Sequence, residues 1–330
     1  MNFKNKLLHL FLFSLFIIPN IVFAYSNKVI LGGDSIGIEV KSKNVVVVGF
    51  YKVGEKYPAM DAGFKVGDKI VEVNGKKIGE ITDLTNSIKE NNNEIKIERG
   101  KSEKIISFDL VKERKEKKSS VYKTGLYVKN KISGIGTLTY IDPNTKVYGA
   151  LGHEITDSTT KEKVEIQDGK IFYSNITGIT KSSGGQPGEK NATLNGNDIF
   201  GDIKNNKISG IFGHYTKEYD ESNLIQIGKK NEIHEGKAYI KTVVEKDKIE
   251  EFEINITKIN TEKEIKNILF EVTDKRLLGK TNGIVSGMSG SPIIQDEKLV
   301  AAVTHVVVSN PIKGYGIFIT TMLEEGDKAN

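Results

Sequence analysis

From residue 29 onward, short runs rich in Val, Ile and Thr recur between Gly, Asn and Asp turns, the pattern of strands that bury one face. The segment Lys69-Ile70-Val71-Glu72-Val73-Asn74 directs Ile70 to a core face, with Val71 and Val73 as further core candidates, and Asn74-Gly75 is a strong turn signal. Short helical segments at 58–63 and 82–89 and strands at 95–97 and 105–108 complete a first unit, residues 29–111, with the shape of a small α+β sheet capped by two helices. Residues 112–120, Lys-Glu-Arg-Lys-Glu-Lys-Lys-Ser-Ser, carry no apolar side chain and predict a solvated charged linker. A second unit, residues 121–330, again reads as short strands between Gly, Asn and Asp-Pro turns, which suits a β-barrel or sandwich. The expected class is mainly β.

The first 24 residues break this pattern. Lys4 and Lys6 precede an apolar run over 7–18, followed by Pro19 and by Ala24 as a cleavage position, so residues 1–24 read as an export signal or a retained membrane anchor. Either reading places the remainder outside the cytoplasm. The 330 residues, 38% hydrophobic, suffice for two cores. A net charge of +5 without an Arg-rich stripe argues against a nucleic-acid partner. With no cysteine there is no disulfide, no thiol nucleophile and no Cys-ligated zinc.

Ser286-Gly287-Met288-Ser289-Gly290-Ser291-Pro292 lies between two strand-like segments. Its glycines permit a tight turn that exposes Ser289 as a nucleophile and aims the amides of Gly287 and Ser289 at a developing oxyanion; an ordinary Gly/Ser hairpin is the bland alternative. A base must come from His153, His214, His234 or His305, since His9 falls in the export segment. His153 is favoured because Gly149-Ala150-Leu151-Gly152 lets its strand end approach another backbone closely. For an orienting carboxylate, Asp274 stands among apolar neighbours and Asp202 is the fallback. The order His153, Asp274, Ser289 matches that of chymotrypsin-type enzymes. Competing motifs fail: four positions after His153 and His234 stand Asp157 and Ala238 rather than a second zinc ligand, and Asp274 occupies the place of the first P-loop glycine before Gly279-Lys280-Thr281. An α/β-hydrolase elbow would need Gly at Ser291. No metal or organic cofactor is expected.

With those residues assembled, the chain resembles the SpoIVB peptidase family of endospore-forming bacteria. The matching stretches include Ser35-Ile36-Gly37-Ile38, Ala62 to Asp68, Gly134 to Thr139, Gly149 to His153, Gly188-Glu189-Lys190, Thr273-Asp274, Gly287 to Pro292, Val303 to Val306 and Gly314-Tyr315-Gly316. The resemblance implies a PDZ domain ahead of a chymotrypsin-like double β-barrel protease, with the family's catalytic His, Asp and Ser falling on His153, Asp274 and Ser289. One departure is Glu154 after the histidine, where Gly is expected; a carboxylate there would raise the imidazole pKa.

The resemblance further implies a sporulation-signalling endopeptidase, exported to the space between the forespore membranes. There it would cut a membrane-bound regulator of an intramembrane protease, leading to late sigma-factor activation, and would cut itself near the N-terminus. In the PDZ unit the amides of Ile36, Gly37 and Ile38 are expected to hold a chain-terminal carboxylate. The added strand, from a partner peptide or from the chain's own segment, would lie against the helix bearing Leu84 and Ile88. The reading from another class is a non-catalytic exported PDZ scaffold that retains a degenerate protease fold.

Overall fold

The computed structural model describes residues 25–114 and 120–328; residues 1–24, where an export signal or anchor is expected, residues 115–119 of the expected linker and residues 329–330 lie outside the described residues. The chain opens with β1 (Lys28–Leu31) and β2 (Ser35–Phe50), then α1 (Pro58–Asp61), β3 (Lys69–Val73), β4 (Lys76–Lys77), α2 (Ile81–Ser87), β5 (Asn93–Arg99) and β6 (Ser102–Phe108). Each short element has its local cause. Pro58 starts α1, where a missing N–H costs nothing, and Glu80 with Asp83 forms a capping box at α2. Asn74 and Gly75 both take positive φ, 52° and 79°, as a tight β3–β4 hairpin requires. Val45, Val47, Phe64, Ile70, Val73, Leu84, Ile95 and Ile97 form the core of this small unit.

The flanks of the expected linker are paired. β7 (Val111–Arg114) and β8 (Ser120–Lys123) run antiparallel, and across them Lys123 ion-pairs with Glu113 while the Lys112 ammonium stands 5.8 Å from the centre of the Tyr122 ring. Charge patterning that reads as coil in one strand is satisfied by complementary charge in the other.

Two barrels follow. β9 (Leu126–Ile141), β10 (Val147–Ala150), β11 (Ile166–Thr180), β12 (Gly188–Asp202), β13 (Asn205–Lys207), β14 (Gly210–His214) and β15 (Leu224–Ile227) belong to the first. Its ring runs β2, β9, β10, β14, β12, β11 and back to β2, with the β14 to β12 closure made by the Gly201–Tyr215 bridge. Ile36, Ile38, Val40, Leu138, Tyr148, Ala150, Ile171 and Ile211 fill it. The second comprises β16 (Gly236–Val243), β17 (Ile249–Ile259), β18 (Ile268–Val272), α3 (Lys275–Thr281), β19 (Val285–Ser286), β20 (Pro292–Gln295), β21 (Lys298–Val306), β22 (Lys313–Phe318) and α4 (Ile319–Asp327). There the closed ring is β16, β17, β18, β22, β21, β20 and back to β16, around Phe252, Ile254, Phe270, Ile293 and Val303. Met322 and Leu323 of α4 join Tyr140 and Phe212 of the first barrel in a further cluster. The double β-barrel expected from the sequence is the observed fold.

The boundary of the first unit differs from the expected one. β1 pairs with β9 and β15, and the first half of β2 pairs on one side with β9 and on the other with β11. Residues 28–42 are therefore part of the first barrel, and only the second half of β2, through Val45 and Val46 on β3, serves the small unit. One long strand shared by two sheets leaves no break in the hydrophobic pattern, so a boundary at residue 29 is what periodicity alone suggests.

Candidate active site

Ser289 and His153 open onto the same space between the barrels. Both line one cavity of about 270 Å³, with Ile38, Ile132 to Ile135, Leu151, Glu154 to Thr156, Ser286 and Gly287 as the remaining walls. His153 follows β10 of the first barrel, and Ser289 lies on the turn between β19 and β20 of the second.

The turn is fixed from both sides. The Thr137 amide donates to the Ser289 carbonyl at 2.9 Å, the Thr137 hydroxyl to the Gly287 carbonyl at 2.8 Å, and the Thr139 hydroxyl to the Gly290 carbonyl at 2.7 Å. Behind it, the Gly290 amide donates to Val303. Gly290 has φ +94°, and a Cβ there would stand 2.0 Å from the Thr137 carbonyl oxygen, so only glycine lets the barrels approach this closely. The Ser289 amide has no hydrogen-bond acceptor among the described residues, leaving an N–H beside the candidate nucleophile. The Ser289 hydroxyl donates to the Thr304 carbonyl at 3.0 Å, so attack on a substrate requires its rotation toward the imidazole.

His153 Nδ1 lies 2.8 Å from the Glu154 carbonyl oxygen. A carbonyl only accepts, so the proton sits on Nδ1 and Nε2 carries the lone pair, the tautomer a general base needs. Burial pushes the His153 pKa below 6.5, outweighing the raising effects of the Glu154 carbonyl contact and carboxylate; the expected increase from Glu154 exists but loses to desolvation. His305 lies beside it, ring centres 5.1 Å apart and planes tilted by 45°, with Nδ1 2.7 Å from the Thr304 hydroxyl. Burial, then His153 and Lys266, depress its pKa to about 4, so it stays neutral where the pair would work.

Asp274 is elsewhere. It caps α3, accepting from the amides of Arg276 at 2.8 Å and Leu277 at 3.3 Å, and pairs with the Arg276 guanidinium at 2.7 Å. Burial opposes its ionisation, but the Arg276 side chain and these amides hold its carboxyl below the ordinary value. It does not line the cavity, and none of these partners is His153. The placement of an orienting carboxylate at Asp274 is thus corrected: an Asp before Lys-Arg-Leu-Leu is equally a helix N-cap, and that role prevails. The fallback Asp202 accepts from the His214 amide and pairs with Lys204, and His234 pairs with Asp296 at 2.9 Å.

The expected peptide loop is also corrected. Ile36, Gly37 and Ile38 sit mid-strand, opposite Gly136, Ile135 and Gly134 of β9 and Tyr173, Phe172 and Ile171 of β11. Ile36 and Ile38 are buried, so no open carboxylate loop exists there. The edge of β2 that an added strand would extend is occupied by the chain itself: Leu126 to Lys129 of β9 pair antiparallel with Phe50 to Val46. Leu126 and Val128 pack in the same cluster as Leu84 and Ile88. Leu84 of α2 and Ile88 at its C-terminal end therefore lie beside a strand of the chain itself.

Sequence reasoning read Thr137, Thr139 and Lys190 only as parts of matching stretches and gave them no role at the site. Lys190 is 3% exposed at an inward position of β12. The signal for it was the in-and-out alternation of Gly188-Glu189-Lys190, which directs a lysine inward.

The comparisons identify the two units. Residues 120–323 match the family model of SpoIVB peptidase S55, and residues 49–99 match that of a PDZ domain. No curated protein matches the chain. Double barrel, PDZ unit and a match over more than half of the chain lead to one conclusion: this chain belongs to the SpoIVB peptidase S55 family and is a serine peptidase.

Proposed function

We propose that the chain is an exported serine endopeptidase in which Ser289 is the nucleophile, His153 the general base and acid, and the amides of Gly287 and Ser289 the oxyanion hole. The observation that carries this reading is the shared cavity of Ser289 and His153. With Nδ1 protonated, Nε2 takes the Ser289 proton as Oγ attacks the scissile carbonyl. The tetrahedral oxyanion is met by the two amides, His153 passes its proton to the leaving amine, and water, activated by the same nitrogen, releases the acyl group. The Glu154 carbonyl does what a carboxylate does elsewhere: it holds the tautomer.

In this reading the substrate is a membrane-associated regulatory protein of sporulation, cut in the space between the forespore membranes, and the enzyme also cuts its own N-terminal region. The support is the family and the apolar stretch at 7–18. The test is cleavage of a candidate membrane regulator co-expressed with the chain: Ser289→Ala abolishes it while the protein still folds. Cleavage at the wild-type rate by Ser289→Ala contradicts the assignment.

A further inference from the structure

Beneath the nucleophile turn lies a lysine that the mechanism does not use. Lys190 Nζ donates to the Thr242 hydroxyl at 2.9 Å and stands 3.5 Å from the Thr137 hydroxyl, and no carboxylate pairs with it among the described residues. Its stem forms the floor under Gly287, where a Cβ would stand 3.0 to 3.2 Å from Lys190 Cβ, Cγ and Cδ, at a φ of +94°. Burying a cation with hydroxyl partners alone is costly, and burial accordingly pushes its pKa down to about 7.

Thr137 links this lysine to the turn. A hydroxyl has one proton to give, and the Thr137 proton goes to the Gly287 carbonyl at 2.8 Å. Lys190 and Ser291 approach the same oxygen as donors, each at 3.5 Å, which leaves the Thr137 proton directed at Gly287. The peptide plane between Gly287 and Met288 lies between the two amides of the oxyanion hole.

We propose that Lys190 is a positioning residue of the serine turn: acting through Thr137, it fixes the Gly287 carbonyl and so aims the oxyanion donors. The proposal rests on Ser289 as nucleophile and goes beyond it by giving the buried amine a part in the chemical step.

The experiment resolves kinact and KI for fluorophosphonate labelling of the full chain. Lys190→Met, which keeps the stem and removes the amine, lowers kinact roughly tenfold to a hundredfold, less than the roughly hundredfold to thousandfold cost of losing an oxyanion donor outright because the donors are misaimed and not removed, and leaves KI within about twofold. Thr137→Val loses a similar amount, Thr137→Ser recovers most of that loss, and in the Thr137→Val background Lys190→Met adds less than about twofold. Wild-type kinact in Lys190→Met, or a full additional loss on top of Thr137→Val, overturns the proposal. If Lys190→Met does not fold, equal kinact in Thr137→Val and Thr137→Ser overturns it, and recovery by Ser supports it. A wild-type chain that labels at a residue other than Ser289 defeats the nucleophile assignment, and this proposal with it.

Discussion

His153 is hydrogen-bonded through Nδ1 to the carbonyl of its own neighbour, Glu154, at 2.8 Å, with no carboxylate in that position. A backbone carbonyl is neutral and adds less stabilisation to a developing imidazolium than an aspartate, but it fixes the same tautomer. His305, held neutral by its depressed pKa of about 4, adds no opposing charge. In the proposed mechanism the site therefore works as a Ser289–His153 pair braced by backbone.

Asp274→Asn accordingly retains fluorophosphonate labelling within a few-fold, since Asn also caps helices. Asp274→Ala lowers stability by about 1 kcal/mol through loss of the cap. Labelling rates and denaturant midpoints check both, and a hundredfold loss of labelling in folded Asp274→Asn would return the aspartate to the mechanism.

The pH profile follows from His153. Its neutral form is the active one, so the labelling rate falls as pH drops through its pKa; because burial lowers that pKa, the acid limb lies below 6.5. Stability shifts in the same direction. The unfolded chain binds protons at His153 and His305 below about 6.5 that the folded chain resists, so folding stability declines as pH falls from there toward 4. Labelling and chemical denaturation between pH 4 and 8 measure the two effects, and an acid limb above 7 contradicts the first.

Because β2 and β9 each serve both the small unit and the first barrel, cutting the chain within 115–119 leaves one particle. Size-exclusion chromatography of the nicked protein shows both fragments co-eluting, with labelling at Ser289 kept. Replacing Leu126 with Asp, which puts a charge into the small unit's core, lowers stability by several kcal/mol. Clean separation of the fragments into folded halves would mean that the strands are not shared.

Much of this was legible in the sequence. The small-residue runs around His153 and Ser289 gave close backbone approach and tight turns, which local spacing can encode, and Gly290 and Gly136 are indeed positions where a Cβ would collide with Thr137 and Leu151. Non-local pairing was not legible. Nothing near Ile36 signals that β9 and β11 take both edges of its strand, nothing near Leu126 announces that it packs in the cluster formed by residues 45 to 108, and Asp274 reads alike as an orienting carboxylate and as a helix cap. Lys190 was given no role at the site because a lysine is assumed to face water until its strand register is known.

The central claim is tested most directly by locating the covalent adduct after treatment of the wild-type chain with a fluorophosphonate, and repeating the reaction with His153→Ala and with His234→Ala. The account predicts a single adduct on Ser289, its rate lowered by at least a thousandfold in His153→Ala and unchanged in His234→Ala, whose ring pairs with Asp296 at the surface. A folded wild-type chain that remains unlabelled at Ser289, or one whose labelling is indifferent to His153, would contradict it and favour a peptide-binding scaffold built on a protease fold.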